Sequence, residues 1–197
     1  MKKGEKEVMD IVFLLDCSGS MGGMEEDTIG GYNSYIDKQK KNKVKVTTIL
    51  FDNQYEMLTE REDIKNISYL DNAKYFVRGT TALLDAIGKT INYMDHEKCK
   101  KVLFVITTDG LENASIEFNK DQIREMINKH KNWEFMYIGA DIDSYNEGEK
   151  IGIKKSNIAN YQKSKVGISK LFNAVSHASN AMYETSSIAS DWKDELK

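Results

Sequence analysis

The strongest constraint on the fold is a series of short, continuous apolar stretches separated by segments with helical periodicity. Apolar residues fill most of positions 8–15, 44–51, 102–106 and 133–138, as in strands that are buried on both faces. Between them, for example over residues 81–94, apolar side chains recur at the spacing of one helix face. Strands that alternate with helices pair in parallel through right-handed crossovers. The chain is therefore predicted to be an α/β protein with a doubly wound, mostly parallel sheet and helices on both faces.

One strand is expected to depart from the parallel pattern. Asp52 and Asn53 form a tight-turn signal directly after residues 44–51, and they lead into a second strand-like stretch at 55–58. This spacing predicts a hairpin, whose second strand would be antiparallel and would lie at an edge of the sheet.

The remaining patterns predict a chain with one domain. A short helix is expected over about 143–150, a short strand around 157–161, and a long helix near the end of the sequence. We expect residues 1–197 to form this single domain, with a charged lead-in at 1–7 and a C-terminal helix and tail from about 166.

Charge and cysteine placement exclude several classes of protein. The 28 basic and 31 acidic residues give a net charge of −3, which lacks the basic footprint of a nucleic-acid-binding protein. The apolar runs are far shorter than the ~20 residues of a membrane span. No secretion signal is recognised, so we expect a cytoplasmic protein without nucleic acid or membrane partners. Cys17 and Cys99 are expected at opposite ends of the sheet, as free thiols.

A group of oxygen donors follows the first predicted strand. Asp16, Ser18 and Ser20 place a carboxylate and two hydroxyls at alternate positions of a loop. In doubly wound sheets, ligands bind beyond the carboxyl ends of the strands, where the strand order reverses. A set of oxygen donors without His or Cys suits hard divalent cations such as Mg²⁺ and is a poor fit for zinc. The loop is therefore a candidate metal site.

Two further oxygen donors are expected at the same edge, and together with the first three they form a recognisable pattern. The chain carries, in order, Asp16-x-Ser18-x-Ser20, Gly79-Thr80-Thr81-Ala82-Leu83 and Thr108-Asp109-Gly110. This ordered set resembles the von Willebrand factor A (VWA) domain and its metal-ion-dependent adhesion site. Residues 27–31 and 105–115 resemble stand-alone bacterial and phage members of that family in particular.

The resemblance implies a metal site and a way of binding a partner. Its ligands would be the hydroxyls of Ser18, Ser20 and Thr81, with the carboxylates of Asp16 and Asp109 binding the metal directly or through water. The metal would be Mg²⁺ or Mn²⁺, with Ca²⁺ as another candidate. In the family, an Asp or Glu of a partner protein completes the coordination of the metal, so the resemblance implies a binding module and not an enzyme.

An enzyme remains as the alternative. Asp16 could act as a phosphoryl-accepting nucleophile beside Mg²⁺ at the end of a parallel strand. Such an enzyme usually needs a second acid nearby and a lysine to balance the phosphate charge, and the residues directly after Asp16 supply neither.

Polar residues near the same edge leave smaller alternatives open. Asp141 and Asp143 could extend a binding surface or cap the next helix. Glu112 and Asn113 could contact a partner at the rim of the site or could be solvated loop residues.

Overall fold

The structure, a computed structural model, describes residues 8–196 and contains one six-stranded sheet. The strands are β1 Met9–Asp16, β2 Val44–Phe51, β3 Tyr55–Asp63, β4 Lys101–Thr108, β5 Glu134–Gly139 and β6 Ile158–Asn160. The helices are α1 Glu25–Gln39, α2 Leu83–His96, α3 Lys120–Lys129, α4 Ser144–Lys150 and α5 Lys165–Thr185. The spatial order is β3-β2-β1-β4-β5-β6, and every neighbouring pair is parallel except β2 with β3. The predicted doubly wound sheet with one antiparallel edge strand is confirmed.

The edge strand β3 is longer than the sequence pattern predicts. The prediction ended at Leu58, whereas β3 continues to Asp63 through a stretch rich in charged side chains. A strand at the edge of a sheet can face water and needs no continuous apolar run, so apolar periodicity underestimates its length. A register shift interrupts the pairing between Val46 and Thr48, and near it Arg61 has a φ of +43°.

Two helical layers cover the sheet, and the strand β1 is buried between them. Phe13 and its odd-numbered neighbours pack toward α1 and α5, whereas Val12 and Leu14 pack toward α2 and α3. The Phe13 ring makes edge contacts with Tyr32 and Tyr35 of α1, with centroid distances of 5.4 and 4.8 Å. Burial on both faces explains why β1 is an almost continuous apolar run.

The helices α1 and α5 approach each other closely at one glycine. A Cβ atom at Gly31 would overlap the ring of Phe172, so this position accepts no larger residue without a shift. Tyr35 donates to or accepts from Ser179 of α5 across the same interface, with an O–O distance of 2.8 Å. The close contact fixes α5, and with it the loop that precedes α5.

The strand order places the carboxyl ends of β1 and β4 side by side. From β1 the chain crosses to β2 on one side, and it later returns to pair β4 on the other side. This is the reversal point at which doubly wound sheets bind ligands. The loops that leave β1 and β4 therefore bound a common crevice.

The structure confirms that the two cysteines lie at opposite ends of the sheet. Cys17 directly follows the carboxyl end of β1, Cys99 precedes the amino end of β4, and both are free. Burial raises the pKa of the Cys17 thiol to about 12, which keeps it protonated at neutral pH. No helix within residues 8–196 combines the length and the apolar character needed to cross a membrane.

Candidate metal site

Asp16 ends β1 with its carboxylate buried and held on both oxygens. The backbone N–H of Ser18 donates to Oδ1 at 2.7 Å, and the hydroxyl of Thr108 donates to Oδ2 at 2.5 Å. Burial raises the pKa of the Asp16 carboxyl, and the negative charge of Asp109 adds to the rise, whereas the hydrogen bonds oppose it. A cation beside Asp16 would offset this cost of burying a charge.

The loop after β1 presents two hydroxyls on the same side. Ser18 is buried and Ser20 is exposed, and their Oγ atoms lie 3.1 Å apart. The backbone of this loop pairs with a second loop. The backbone N–H of Gly19 donates to the carbonyl of Gly79, and the backbone N–H of Arg78 donates to the carbonyl of Cys17. The exposure of Ser20 shows that the site opens to solvent on this side.

The second loop also brings Thr81 to the site. Thr81 is buried, whereas its neighbour Thr80 is exposed. Asn113 holds the Thr81 backbone on both sides: its Oδ1 accepts from the Thr81 N–H at 2.9 Å, and its own N–H donates to the Thr81 carbonyl. Thr81 is thus fixed by a residue of the loop that follows β4.

Asp109 directly follows β4, and its carboxylate is buried. Within the described part of the chain, no backbone N–H or hydroxyl donates to either of its oxygens. The charge that faces it belongs to Lys163, whose Nζ lies 2.7 Å from Oδ2. The side chain of Asp109 has no exposed surface, whereas that of Lys163 is 25% exposed. A buried carboxylate that no backbone N–H or hydroxyl stabilises requires a cation.

Gly110 marks the point on which the hydroxyls converge. A Cβ atom at this glycine would lie 2.7 Å from Thr81 Oγ1, 3.2 Å from Ser20 Oγ and 3.6 Å from Ser18 Oγ. The absent side chain therefore leaves space beside the three hydroxyls. We call this space, with the three hydroxyls and the carboxylate of the preceding residue Asp109, the cradle. Its oxygen donors fit a small cation that prefers oxygen ligands.

The five predicted site residues lie at one edge of the sheet, and their chemistry fits a metal of the magnesium type. Among the described residues, no three side chains of His, Cys, Asp or Glu lie together where they could hold a metal ion. A metal at this edge would therefore rely on hydroxyl ligands and two carboxylates, which suits Mg²⁺, Mn²⁺ or Ca²⁺.

The structure corrects one argument used against an enzyme. No lysine directly follows Asp16 in the sequence, but Lys163 lies at the site, on the loop between β6 and α5. Both oxygens of Asp16 are nevertheless engaged in hydrogen bonds and buried, which is unfavourable for an attacking nucleophile. The three histidines lie elsewhere, on α2, α5 and the end of α3.

Several other residues have structural roles. Glu112 accepts hydrogen bonds from the backbone N–H of Leu84, at the start of α2, and from Ser115. Asp143 caps α4 by accepting from the N–H of Asn146, as one of its two interpretations proposed. Tyr75, which the sequence patterns did not single out, donates to the backbone carbonyl of Asp16 at 2.6 Å. A buried tyrosine in an irregular loop carries no periodicity that would have identified it.

These features define a class: an α/β domain with a doubly wound sheet and a cluster of oxygen donors at the reversal point of the strand order. The family model for the von Willebrand factor type A domain matches residues 10–174. The chain therefore belongs to the VWA family. No curated protein sequence matches the chain at a significant level.

Solved structures with the same fold come from diverse proteins. The vWF domain of the type V pili tip protein Mfa5 from Porphyromonas gingivalis has a TM-score of 0.67 at 10% identity, over 89% of this chain and 96% of that chain. Proximal thread matrix protein 1 from the mussel byssus, with a zinc-occupied MIDAS motif, has a TM-score of 0.63 at 15% identity. The ArnB paralog VWA2 from Sulfolobus acidocaldarius has a TM-score of 0.63 at 18% identity.

Two of these structures are much longer than this chain. The last two cover 87% and 88% of this chain but only 45% of the other chain, so this chain spans less than half the length of those structures. At such identities the similarity shows the fold alone.

Proposed function

We propose that this chain is a divalent-metal-dependent protein-binding module that captures an Asp or Glu side chain of a partner protein. The observation that carries the proposal is the cradle beside Gly110, where the hydroxyls of Ser18, Ser20 and Thr81 converge next to Asp109. The type V pili tip protein Mfa5 among the structural relatives is compatible with a binding role.

The donor set explains why a partner carboxylate is the proposed ligand. Asp16 and Asp109 would balance the charge of a divalent ion, and the three hydroxyls are weak neutral donors. Such a metal would supply an electrophilic position at the exposed side of the site, near Ser20, which a carboxylate can fill. We propose that Mg²⁺ or Mn²⁺ is the resident ion and that the chain has no turnover of its own.

Saturating Mg²⁺ or Mn²⁺ is expected to stabilise the protein. At ~100 times the dissociation constant, binding contributes about 2.7 kcal/mol, and the melting temperature should rise by about 5–10 °C. The Asp109→Ala variant should lose this response in differential scanning calorimetry. Asp141→Asn is the matched control, because it removes an exposed carboxylate at the same edge and Asn accepts the backbone φ of +54° found there. An equal metal response of wild type and Asp109→Ala would place the metal elsewhere.

A carboxylate probe tests the proposed mode of partner binding. With Mn²⁺ bound, a short peptide with one central Asp should lower the water-proton relaxation rate, because the carboxylate replaces a coordinated water. The same peptide with Asn should have little effect. Thr81→Ala should weaken Mn²⁺ binding by about tenfold, whereas Thr80→Ala, at the exposed neighbouring position, should not. Equal responses to the two peptides would contradict carboxylate capture.

Two further assignments belong to the proposal. Residues 1–197 would act as a single VWA domain, and the cytoplasm would be its compartment.

A further inference from the structure

We infer that Lys163 is a resident cation of the proposed metal site, and that it competes with the divalent ion for Asp109 and so sets the metal affinity. The inference rests on the proposed function, because it concerns the same site. Lys163 lies outside the three segments that resemble the VWA pattern.

The backbone on both sides of Lys163 is fixed. Before it, the N–H of Tyr161 donates to the carbonyl of Gly139 and continues the pairing of β5 with β6. After it, the hydroxyl of Ser164 accepts from the N–H of Gly167 and caps α5. A Cβ atom at Gly167 would overlap the carbonyl of Gln162, so the loop is packed closely against the first turn of the helix. The loop therefore presents Lys163 to the site from a defined position.

The ammonium group of Lys163 bridges two parts of the site. Nζ lies 2.7 Å from Asp109 Oδ2, and it also donates to the backbone carbonyl of Ser20. The side chain of Asp109 is fully buried, and no backbone N–H or hydroxyl of the described residues donates to it, so the ammonium supplies the positive charge that its carboxylate requires.

Charge and geometry make Lys163 and a divalent ion alternatives at Asp109. Asp16 and Asp109 carry two negative charges, of which one ammonium balances half and one divalent ion balances all. A metal bound to Asp109 Oδ2 would lie within a few ångströms of Nζ in its present position, where two cations repel each other strongly. The flexible four-carbon stem allows the ammonium to move toward solvent, where it is well hydrated. Metal binding is therefore an exchange of cations, and its free energy is reduced by the cost of displacing Lys163.

The test compares Mn²⁺ binding by the full chain and its Lys163→Met variant in isothermal titration calorimetry. Removal of the competing charge should tighten Mn²⁺ binding by about tenfold or more, and Lys163→Gln should change it in the same direction. Lys165→Met is the matched control, because Lys165 is an exposed lysine two residues further along the chain, and it should bind Mn²⁺ as the wild type does. Without metal and in EDTA, Lys163→Met should melt at a lower temperature than both wild type and Lys165→Met, since Asp109 then has no counter-charge.

The outcomes separate this inference from the proposed function. Equal or weaker Mn²⁺ binding by both Lys163 variants, with circular dichroism showing a folded protein, would overturn the competition and leave the metal site in place. Absence of Mn²⁺ binding by wild type and by both variants at millimolar concentration would overturn the metal site and the inference together. Binding that appears only in the variants would support the competition and would show that wild-type Lys163 keeps the site closed to metal.

Discussion

Gly110→Ala is expected to abolish metal binding at practical concentrations, with a loss of about 100-fold or more in Mn²⁺ affinity. The added methyl group would occupy the space beside the three hydroxyls, only 2.7 Å from Thr81 Oγ1. The backbone tolerates the substitution, since Gly110 is not among the residues with positive φ. Titration calorimetry with Mn²⁺ measures the loss, and the metal-induced rise in melting temperature should disappear with it.

Gly30→Ala is the matched control for this variant. A Cβ atom at Gly30 would meet no other atom within 4 Å, and the residue lies in α1 away from the crevice. Alanine in a helix is more favourable than glycine by about 0.8–1.0 kcal/mol, so this control should melt slightly higher than the wild type and bind Mn²⁺ normally. If Gly110→Ala also bound Mn²⁺ normally, the cradle would not be the site of the metal.

Phe13→Ala is expected to lower the free energy of unfolding by about 3–5 kcal/mol. Phe13 is fully buried in β1, between the rings of Tyr32 and Tyr35 and near Phe172 of α5. Truncation leaves a cavity at the junction of the central strand and the two helices on this face. At this chain length the melting temperature should fall by about 6–20 °C.

Val166→Ala provides the comparison, because the side chain of Val166 is 65% exposed and its loss should change the stability little. Chemical denaturation followed by circular dichroism measures both variants. A change below ~1 kcal/mol in Phe13→Ala would mean that the surrounding rings close the cavity by repacking.

The strands that are buried on both faces were predicted closely from the sequence. The strands β1 and β4 are mostly apolar because both of their faces are covered, so the apolar runs at 8–15 and 102–106 place them within two residues of their observed limits. The length of β3 did not follow, because an edge strand exposed to water carries no such pattern. The capping pair of Asn119 and Gln122 at the start of α3 was also predictable, since it depends on residues close in sequence.

The site was predictable in its oxygen donors but not in the residues that position and neutralise them. Asp16 and Asp109 each follow a recognisable apolar run, and both belong to the motif that resembles the VWA metal site. Asn113 clamps Thr81 across 32 residues, and Lys163 reaches Asp109 from the loop before α5, so neither pairing leaves a local signal. A lone lysine in a chain with 28 basic residues cannot be assigned to a buried carboxylate before the topology is known.

The central position of β1 determines the order in which the chain can fold as it is synthesised. This strand is made first among the six, yet its partner β4 begins at Lys101 and the helix α5, which covers one of its faces, begins at Lys165. For most of synthesis, the nascent chain therefore carries a mostly apolar strand that lacks one sheet neighbour and part of its helical cover. Such a segment is prone to aggregation until the later elements emerge. The crevice between β1 and β4 is correspondingly a late product of folding, and a chain arrested before β4 could not form it.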